Sequence, residues 1–320
     1  MVSKRNSEKE EKAFKIKWIY ESIGISKQAY YQRIESDKIK EIRNNTVIDF
    51  VLEIRERMPG TGTRKLLDHL QEKFAQNNIK MGRDALFDLL RVRGILKKRT
   101  KRFHITTDAK HFYYKPPNLL YNLEITHAEQ VFVADITYVK TDAGHAYLAL
   151  ITDAYSRKIM GWALEDNMRV EMVKNALNMA YKNCVFNHRN IIHHSDRGIQ
   201  YCCPDHSEFA ESKGFILSTT QKYDPYENAI AERINGILKY EFGLKKTIKS
   251  IQIAKAMTKE AVEIYNNERT HWSLDLKTPQ SVHLQYNKQK KNLIKRQKKL
   301  PFKHQFTTIA ILCEDGNEQC

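Results

Sequence analysis

The sequence lacks the segments that would place a protein in or across a membrane. No apolar run reaches the length of about 18 residues that a transmembrane helix needs. The N-terminal stretch MVSKRNSEKEEK has no apolar core of the kind found in signal peptides. No basic amphipathic helix with a broad apolar face is present either, which argues against a membrane surface as partner. We therefore expect a cytoplasmic protein with no membrane contact.

Cysteine is scarce and irregularly spaced. The five cysteines are Cys184, Cys202, Cys203, Cys313 and Cys320, and none forms a CxxC pair or a Cys/His finger. A structural zinc site is therefore unsupported, and the pattern suits free thiols in a reducing compartment. No GxSxG frame occurs around the serine at position 195, which argues against a serine nucleophile.

Acidic residues are too few to balance the basic ones. The chain of 320 residues carries 54 Lys and Arg against 38 Asp and Glu, a formal net charge of +16. This excess is larger than solubility requires and indicates a polyanionic partner, most simply nucleic acid. Hydrophobic residues make up 41% of the chain, enough to bury a core in one main domain with appendages or in two or three small domains.

The N-terminal third is predicted to be helical. Residues 1–45 form a helical region with Ser26 as a helix N-cap, compatible with a helix-turn-helix and equally with two packed surface helices. Residues 46–102 are predicted to be a helix-turn-helix DNA-binding domain, with apolar stripes at 46–58, 63–75 and 83–92. Residues 103–128 contain Pro116-Pro117 and little periodicity, which favours a linker.

Two basic stretches are expected to contact phosphates. Residues 286–320 form a basic C-terminal tail, with eight Lys or Arg and no acid between positions 288 and 303. Seven bases within twelve residues, again without an acid, follow the third helix of the helix-turn-helix segment. A run of one sign with no acid favours phosphate contact over a merely solvated face. The seven are Arg91, Arg93, Lys97, Lys98, Arg99, Lys101 and Arg102.

Residues 129–285 have the element order of an α/β domain with the RNase H-like fold. Strands are predicted at 129–139, 145–152 and 158–164, joined by turns too short for a parallel crossover, so they form an antiparallel meander. A helix, a strand ending near residue 194, a second helix and a fifth strand follow. In this order the first strand lies beside the fourth.

Three carboxylates occupy positions where an unpaired charge would be unfavourable or where several polar groups converge. Asp135 lies in the apolar strand VFVADITYV, where a buried carboxylate is costly unless it is protonated, paired or bound to metal. Asp196 follows the fourth strand, and the fold brings it close to Asp135. Glu232 lies on a later helix, on one stripe with Asn228, Asn235 and Lys239 at spacings of 4, 3 and 4. The isoleucines of that helix are expected on the opposite side, against the sheet. We interpret the three acids as ligands of divalent metal.

Four segments together resemble a known family. VADITYV, HSDRGIQY, ENAIAERINGILKYE and YNNERTHWSLDLKTPQSVH are similar to motifs of the DDE transposases of bacterial insertion sequences, specifically the downstream-frame product of the IS-three family, which is related to retroviral integrases. The gap of 35 residues between Asp196 and Glu232, and a lysine seven positions after Glu232, match that family's signature. The resemblance covers roughly residues 55–285.

The resemblance implies the fold of an integrase catalytic core, preceded by a helix-turn-helix region, and a chemistry. Asp135, Asp196 and Glu232 would be the catalytic, metal-binding triad for two Mg²⁺ or Mn²⁺ ions. Lys239, Arg197 and Asn228 would contact DNA, the last also supporting the site. The reaction would cleave DNA at the ends of the element and join the freed 3′-OH to another phosphodiester, without a covalent protein–DNA intermediate.

The resemblance also implies partners. The protein would bind the terminal inverted repeats of its element and the target DNA, associate with itself on those ends, and reside in the bacterial cytoplasm with the nucleoid. It lacks the leucine-zipper heptads of the family's upstream-frame protein, which implies action as a fusion with that protein or with its help.

Two other functions remain open from the residues alone. A noncatalytic helix-turn-helix regulator would lose nothing when Asp135 is changed to Asn. A stand-alone RNase H-type nuclease or junction resolvase would need no specific end sequence and would not join strands.

Overall fold

A computed structural model describes residues 22–97, 112–186, 189–221 and 228–285. The chain divides into two compact units: residues 1–56 with 62–97, and residues 57–61 with 98–320. Within the described ranges, no helix is both long enough and apolar enough to cross a bilayer.

The first unit contains three described helices. These are α1 (Lys27–Arg57), α2 (Thr63–Gln76) and α3 (Arg83–Val92). One buried apolar cluster joins them, with contributions from Val47 of α1, Leu66 and Leu70 of α2, and Leu86 and Leu90 of α3. The predicted helices at 63–75 and 83–92 are confirmed, because their apolar residues recur at helical spacing and meet in this cluster.

The helix α1 differs from the sequence-based expectation. Separate helices near residues 26–34 and 46–58 were predicted, but α1 runs unbroken across both. The intervening ESDKIKEIRNN contains no glycine or proline, and Arg33 pairs with Asp37 one turn later on the same face. The prediction of Ser26 as N-cap is confirmed, since its Oγ accepts a hydrogen bond from the Ala29 amide at 3.1 Å. The boundary expected between residues 45 and 46 lies inside α1.

The second unit contains a five-stranded sheet of order β3-β2-β1-β4-β5. The strands are β1 (Val131–Thr141), β2 (Gly144–Asp153), β3 (Ile159–Glu165), β4 (Ile191–Ser195) and β5 (Phe215–Thr219). The first three pair antiparallel, whereas β1 with β4 and β4 with β5 pair parallel. The predicted meander and the predicted neighbourhood of the first and fourth strands are both confirmed.

Helices cover both faces of this sheet. They are α4 (Val170–Lys182), α5 (Ile199–Cys202), α6 (Pro204–Ser212), α7 (Ala229–Glu241) and α8 (Ile251–Asn267). Side chains alternate along β1: Phe132 and Ala134 belong to a core that includes residues of α4 and α6, whereas Val131 and Val133 pack with Ala231 of α7. The face of β1 that carries the odd-numbered residues Val131 and Val133 is therefore the face that α7 covers.

Gly161 lets β3 and α4 approach each other closely. A Cβ atom at this position would lie 2.1 Å from the carbonyl oxygen of Ala176 and 2.6 Å from the amide nitrogen of Ala180. Both contacts are with helix backbone, which cannot move aside, so only glycine fits this point of the strand.

Residues 112–128 contain no helix or strand, yet they pack on the second unit. The Ser218 Oγ accepts a hydrogen bond from the Leu119 amide at 2.9 Å, and the Thr219 hydroxyl donates to the Pro116 carbonyl at 2.7 Å. Leu120 and Leu123 pack against the cluster that contains Val133. The described part of the segment predicted to be a linker is thus attached to β5 and to the sheet.

Candidate active site

The sheet register places Asp135 and Asp196 side by side. In the parallel pair of β1 and β4, Val133 is opposite His194. Asp135 lies two residues after Val133 on β1, and Asp196 lies two residues after His194, directly after the end of β4. Since neighbouring strands lie about 4.8 Å apart, this register brings together two acids that are 61 positions apart in the sequence.

The polar stripe of α7 follows β1. Asn228 Nδ2 donates to the Ala134 carbonyl at 3.0 Å, and Asn235 Nδ2 donates to Asp135 Oδ2 at 2.8 Å. Further along, Lys239 Nζ lies 4.6 Å from the centre of the Tyr138 ring. The stripe predicted from the 4-3-4 spacing is confirmed.

The orientation of that stripe corrects one expectation. The sequence predicted the isoleucines of α7 against the sheet and the polar stripe on the opposite side. Ile234 and Ile237 are buried, but Asn228 and Asn235 are also buried, with 6% and 4% of their surface exposed. Both asparagines form hydrogen bonds with β1. Amide side chains tolerate this burial because each donates a hydrogen bond to an oxygen of the strand.

Electrostatics links the three acids. Burial is the main cause that raises the pKa of Asp135 to about 7, and the negative charge of Asp196 is the second. The hydrogen bond from Asn235 lowers this pKa, whereas the charge of Glu232 raises it further. Asp196 is half-buried and Glu232 is exposed on the first turn of α7. Three carboxylates within electrostatic reach of one another repel, and a cation among them would relieve that repulsion.

Asp196 and Arg197 are both tied to the backbone. Asp196 Oδ1 accepts a hydrogen bond from the Gly198 amide at 3.0 Å, which orients the carboxylate at the start of α5. Arg197 Nε donates to the carbonyl of Thr220, the residue after β5. Arg197 thus lies beside the acids, and its guanidinium is partly engaged by the protein itself.

The charge of Asp135 acts on Lys239 of α7. Burial lowers the pKa of Lys239, the nearby carboxylate of Asp135 raises it, and Lys245 lowers it further. The ammonium packs over the Tyr138 ring, which partly compensates for its loss of water.

The donor chemistry fits a hard divalent cation, although the side chains are not arranged as a closed cage. Within the described ranges, no group of three or more His, Cys, Asp or Glu side chains is already placed to hold one ion. Carboxylate oxygens with water suit Mg²⁺ or Mn²⁺ and suit zinc poorly. Two properties of the three acids suit a divalent cation: their ligand atoms are carboxylate oxygens, and their charges repel one another.

The bases after α3 are only partly described. Arg91 forms an ion pair with Asp88, and Arg93 forms one with Glu41 and a 2.7 Å hydrogen bond to Asn45. Lys97 is exposed. The predicted contacts of Lys98, Arg99, Lys101 and Arg102, like the basic tail at 286–320, lie outside the described residues.

A buried polar network lies at the start of β1. His283 bridges Glu129 and Ser156, with Nε2 3.2 Å from Glu129 Oε1 and Nδ1 3.1 Å from Ser156 Oγ. Asp153 accepts hydrogen bonds from the Ser156 amide and hydroxyl at 2.6 and 2.8 Å. All four side chains are buried, so the network is structural and attaches residues 279–285 to the sheet.

Asp153 and Ser156 also form the turn between β2 and β3, since the Ser156 amide donates to Asp153 Oδ1 and the Arg157 amide donates to the Asp153 carbonyl. The aromatic side chain of Trp272 lies outside the core and is 58% exposed in a short 3₁₀ turn. An acid in an otherwise apolar strand, as at Asp153, was the available sign of the network, whereas its partner His283 lies too far along the chain to be inferred.

Sequence comparison assigns the chain to a family. Two families described as "Integrase core domain" match residues 125–225 and 213–279. The insertion element IS600 31 kDa protein of Shigella sonnei is 34% identical over 83% of this chain and 97% of that protein. The putative transposase for IS986/IS6110 of Mycobacterium tuberculosis (strain CDC 1551 / Oshkosh) is 30% identical over 77% and 90%. The chain belongs to the DDE transposases of bacterial insertion sequences.

Two further similarities accompany this assignment. The transposase InsF for insertion sequence IS3A of Escherichia coli (strain K12) is 30% identical over 66% of this transposase and 72% of its own length. Among solved structures, the HTLV-2 integrase catalytic core domain in complex with magnesium is 16% identical, with a TM-score of 0.39, over 49% of this chain and 97% of that domain.

The family determines the general activity of this transposase. It is an enzyme of DNA transposition, of the polynucleotidyl transferase type, with an integrase core domain. Divalent metal dependence, DNA binding and oligomerisation are properties that the family implies.

Proposed function

We propose that this transposase cleaves DNA at the ends of its own insertion sequence and transfers the freed 3′-OH to another phosphodiester, using Asp135, Asp196 and Glu232. The observation that carries the proposal is the register of β1 and β4, which sets Asp135 beside Asp196, together with the contact of Asn235 on α7 with Asp135. The charges of Asp196 and Glu232 both act on Asp135 and raise its pKa. Acids that repel one another, on two adjacent strands and a helix, provide the oxygen ligands that a metal-dependent phosphoryl transfer needs.

Asp135, Asp196 and Glu232 would hold the divalent metal, two Mg²⁺ or Mn²⁺ ions per site, which when bound would activate the attacking oxygen and stabilise the leaving one. Asn235 holds the carboxylate of Asp135 in position, and the Gly198 amide does the same for Asp196. The protein therefore supplies alignment and charge, and no side-chain nucleophile is required.

We assign the DNA contacts in two groups. Lys239, Arg197 and Asn228 lie beside the acids and would contact the strand that reacts. The bases between positions 91 and 102 would contact phosphates of the terminal inverted repeat, with the arginines at 91 and 93 first exchanging their present ion pairs for phosphate. Target DNA would occupy the same active site after cleavage.

Strand transfer requires more than one copy of the transposase to assemble on the DNA. Both ends of the element must be held together before strand transfer, so the transposase would associate with itself on DNA ends. A contribution of the upstream-frame protein, as a fusion or as a separate chain, would add leucine-zipper heptads, which this sequence does not contain. The complex would form on the nucleoid.

The test is an assay of the full chain with Mg²⁺ and DNA that carries the element's own end. We expect cleavage and strand joining with wild type, and a loss of at least about 10²-fold in Asp135→Asn, Asp196→Asn and Glu232→Gln, since each removes a metal ligand. Glu260→Gln, which neutralises an exposed acid on α8, is the matched control and should retain activity.

The same assay separates the other functions. Variants of the three acids that match wild type would show that the proposal is wrong and favour a noncatalytic regulator. Cleavage without dependence on the end sequence and without joined products would favour a nuclease or resolvase.

A further inference from the structure

Tyr201 carries a buried hydroxyl close to the acids. The residue lies on α5, and only 3% of its surface is exposed. Its hydroxyl oxygen is buried and has no hydrogen-bond partner within the described part of the chain. A buried hydroxyl without a partner is unfavourable, and beside a functional site it indicates a hydrogen bond that forms when a ligand binds.

Tyr201 and Asp196 face the same point of the backbone. A Cβ atom at position 198 would lie 3.0 Å from Asp196 Oδ1 and 3.7 Å from Cδ2 of the Tyr201 ring. The Gly198 amide donates to Asp196 Oδ1, and the Gly198 carbonyl accepts a hydrogen bond from the Tyr201 amide at 3.0 Å. The turn at Gly198 therefore holds the carboxylate and the tyrosine ring next to each other.

Two histidines hold the ring of Tyr201 in place. The centres of the Tyr201 and His206 rings are 5.6 Å apart in an edge-on arrangement, and the centre of the His193 ring lies 6.0 Å away. His206 Nδ1 donates to the Tyr201 carbonyl at 3.1 Å, since a carbonyl only accepts. A side chain fixed by packing in this way can orient a neighbouring ligand group.

The charges of two acids act on this hydroxyl. Burial is the main cause that raises the pKa of Tyr201 well above its usual range, and the charges of Asp196 and Asp135 raise it further. The hydroxyl therefore keeps its proton and remains a hydrogen-bond donor near two carboxylates. Of the two acids, Asp196 is the one that the turn at Gly198 holds beside the tyrosine ring.

We propose that Tyr201 is a positioning residue of the metal site: its hydroxyl donates a hydrogen bond to the Asp196 carboxylate when the acids hold a divalent cation. The inference rests on the proposed function for the presence of that cation. Without a cation the three acids repel one another, and Asp196 Oδ1 bonds to the Gly198 amide. A cation removes this repulsion, and a hydrogen bond from outside the ligand set then fixes Asp196 as a ligand.

His193 offers a different partner for the hydroxyl. Both ring nitrogens of His193 are buried and lack a hydrogen-bond partner among the described residues. A water molecule shared by His193 and Tyr201 would make the hydroxyl part of the fold, unrelated to the cation. The two roles differ in what the loss of the hydroxyl changes: the affinity for metal in one case, and the stability of the metal-free protein in the other.

The test is Tyr201→Phe in the full chain, because this change removes only the hydroxyl. Mn²⁺ titration followed by electron paramagnetic resonance should show about tenfold weaker binding than in wild type, a typical cost of losing a hydrogen bond to a metal ligand. Urea unfolding in EDTA should give a midpoint no lower than that of wild type, because the lost hydroxyl had no partner. Unchanged Mn²⁺ affinity would overturn the proposal, and a lowered urea midpoint would assign the hydroxyl to the fold and overturn it as well.

Tyr265→Phe is the matched control. Tyr265 is also fully buried, but its hydroxyl donates to the Arg157 carbonyl at 2.9 Å, in the turn between β2 and β3. We expect the reverse result for this variant, a lower urea midpoint with unchanged Mn²⁺ affinity. If Tyr265→Phe weakened Mn²⁺ binding as much as Tyr201→Phe does, the effect would belong to the fold in general and the inference would be wrong.

The inference and the proposed function fail in different ways. Cleavage and Mn²⁺ binding that depend on the three acids, with the Mn²⁺ affinity of Tyr201→Phe equal to that of wild type, would overturn the inference alone. Mn²⁺ binding that does not depend on the acids would overturn the proposed function, and with it the cation that Tyr201 is inferred to serve.

Discussion

Asn235 is the side chain whose hydrogen bond lowers the pKa of Asp135, and the backbone amide of Ile136 acts in the same direction. Burial and the charges of Asp196 and Glu232 all raise the pKa of Asp135, and the hydrogen bond from Asn235 works in the opposite direction. A metal ion competes with the proton for this carboxylate, so the bond keeps Asp135 available as a ligand near neutral pH.

Replacement of Asn235 by leucine should therefore change the pH profile of the transposase. Without the amide donor, the pKa of Asp135 rises further, and the acidic limb of the cleavage rate moves to higher pH. We expect low activity at pH 7 that recovers toward wild type as the pH is raised to about 9. The measurement is the rate of end cleavage against pH. A uniform loss at every pH would show that Asn235 only supports the fold.

His206 should make the second unit sensitive to acid. Burial lowers the pKa of His206 from 6.5 to about 4, partly offset by the hydrogen bond of its Nδ1 to the Tyr201 carbonyl. The unfolded chain thus binds more protons than the folded chain between these values, and stability is lost as the pH falls through this window.

The change from pH 7.5 to pH 5 should lower the free energy of unfolding by about 2 kcal/mol through His206. Urea unfolding of wild type and His206→Phe at both pH values measures this, and the variant should lose less stability on acidification. His145→Gln, at an exposed histidine on β2, serves as control. An identical loss in His206→Phe and wild type would contradict the assignment.

The helix α7 is held at both ends. At its N-terminus Asn228 bonds to β1, and at its C-terminus Glu241 forms two hydrogen bonds of 2.8 Å with the buried guanidinium of Arg269. The backbone amide of Gly60 also bonds to the Glu241 carbonyl at 2.8 Å. These contacts fix the position of the helix that carries Glu232, Asn235 and Lys239.

Replacement of Arg269 by methionine should destabilise the second unit by about 2–4 kcal/mol, because it leaves Glu241 without its partner in a largely buried place. Arg269→Lys should have a smaller effect, since one charge remains but the paired geometry is lost. Urea unfolding measures both.

Lys255→Met is the matched control for this experiment. It breaks the exposed ion pair with Glu165 and should change stability by less than about 1 kcal/mol. If the Arg269 and Lys255 variants unfolded alike, the buried pair would not be what holds the end of α7.

How much of each element could be predicted depended on where its partners lie in the sequence. The strands of the sheet, their order and the stripe on α7 follow from local periodicity and turn length. The continuity of α1 was missed because two apolar stripes suggested two helices, while the polar stretch between them has helix-forming residues throughout. The bond between Asn235 and Asp135 and the bridge of His283 join segments separated by about a hundred residues or more, and no local pattern indicates such contacts.

At the scale of the whole molecule, charge is the dominant property. The net charge of +16 is carried partly by the bases between residues 91 and 102 and partly by the tail. Bound phosphates release counterions, so DNA affinity should fall steeply with salt.

Glutamine at Lys97, Lys98, Arg99, Lys101 and Arg102 together should lessen that salt dependence. If all five contact phosphates, the slope of log affinity against log salt becomes less negative by about 4–5. Fluorescence anisotropy with end DNA at several salt concentrations measures the slope. Glutamine at the exposed Lys259 and Lys277 is the control. An unchanged slope in the fivefold variant would show that these bases do not bind the DNA backbone.

Direct measurement of Mn²⁺ binding tests the central claim, that three distant acids form one cation site. Titration of the metal-free transposase with Mn²⁺, followed by electron paramagnetic resonance, should show bound ions in wild type and in Glu260→Gln. Asp135→Asn, Asp196→Asn and Glu232→Gln should each lose at least one of them. Mn²⁺ binding that is the same in all five proteins would contradict the account.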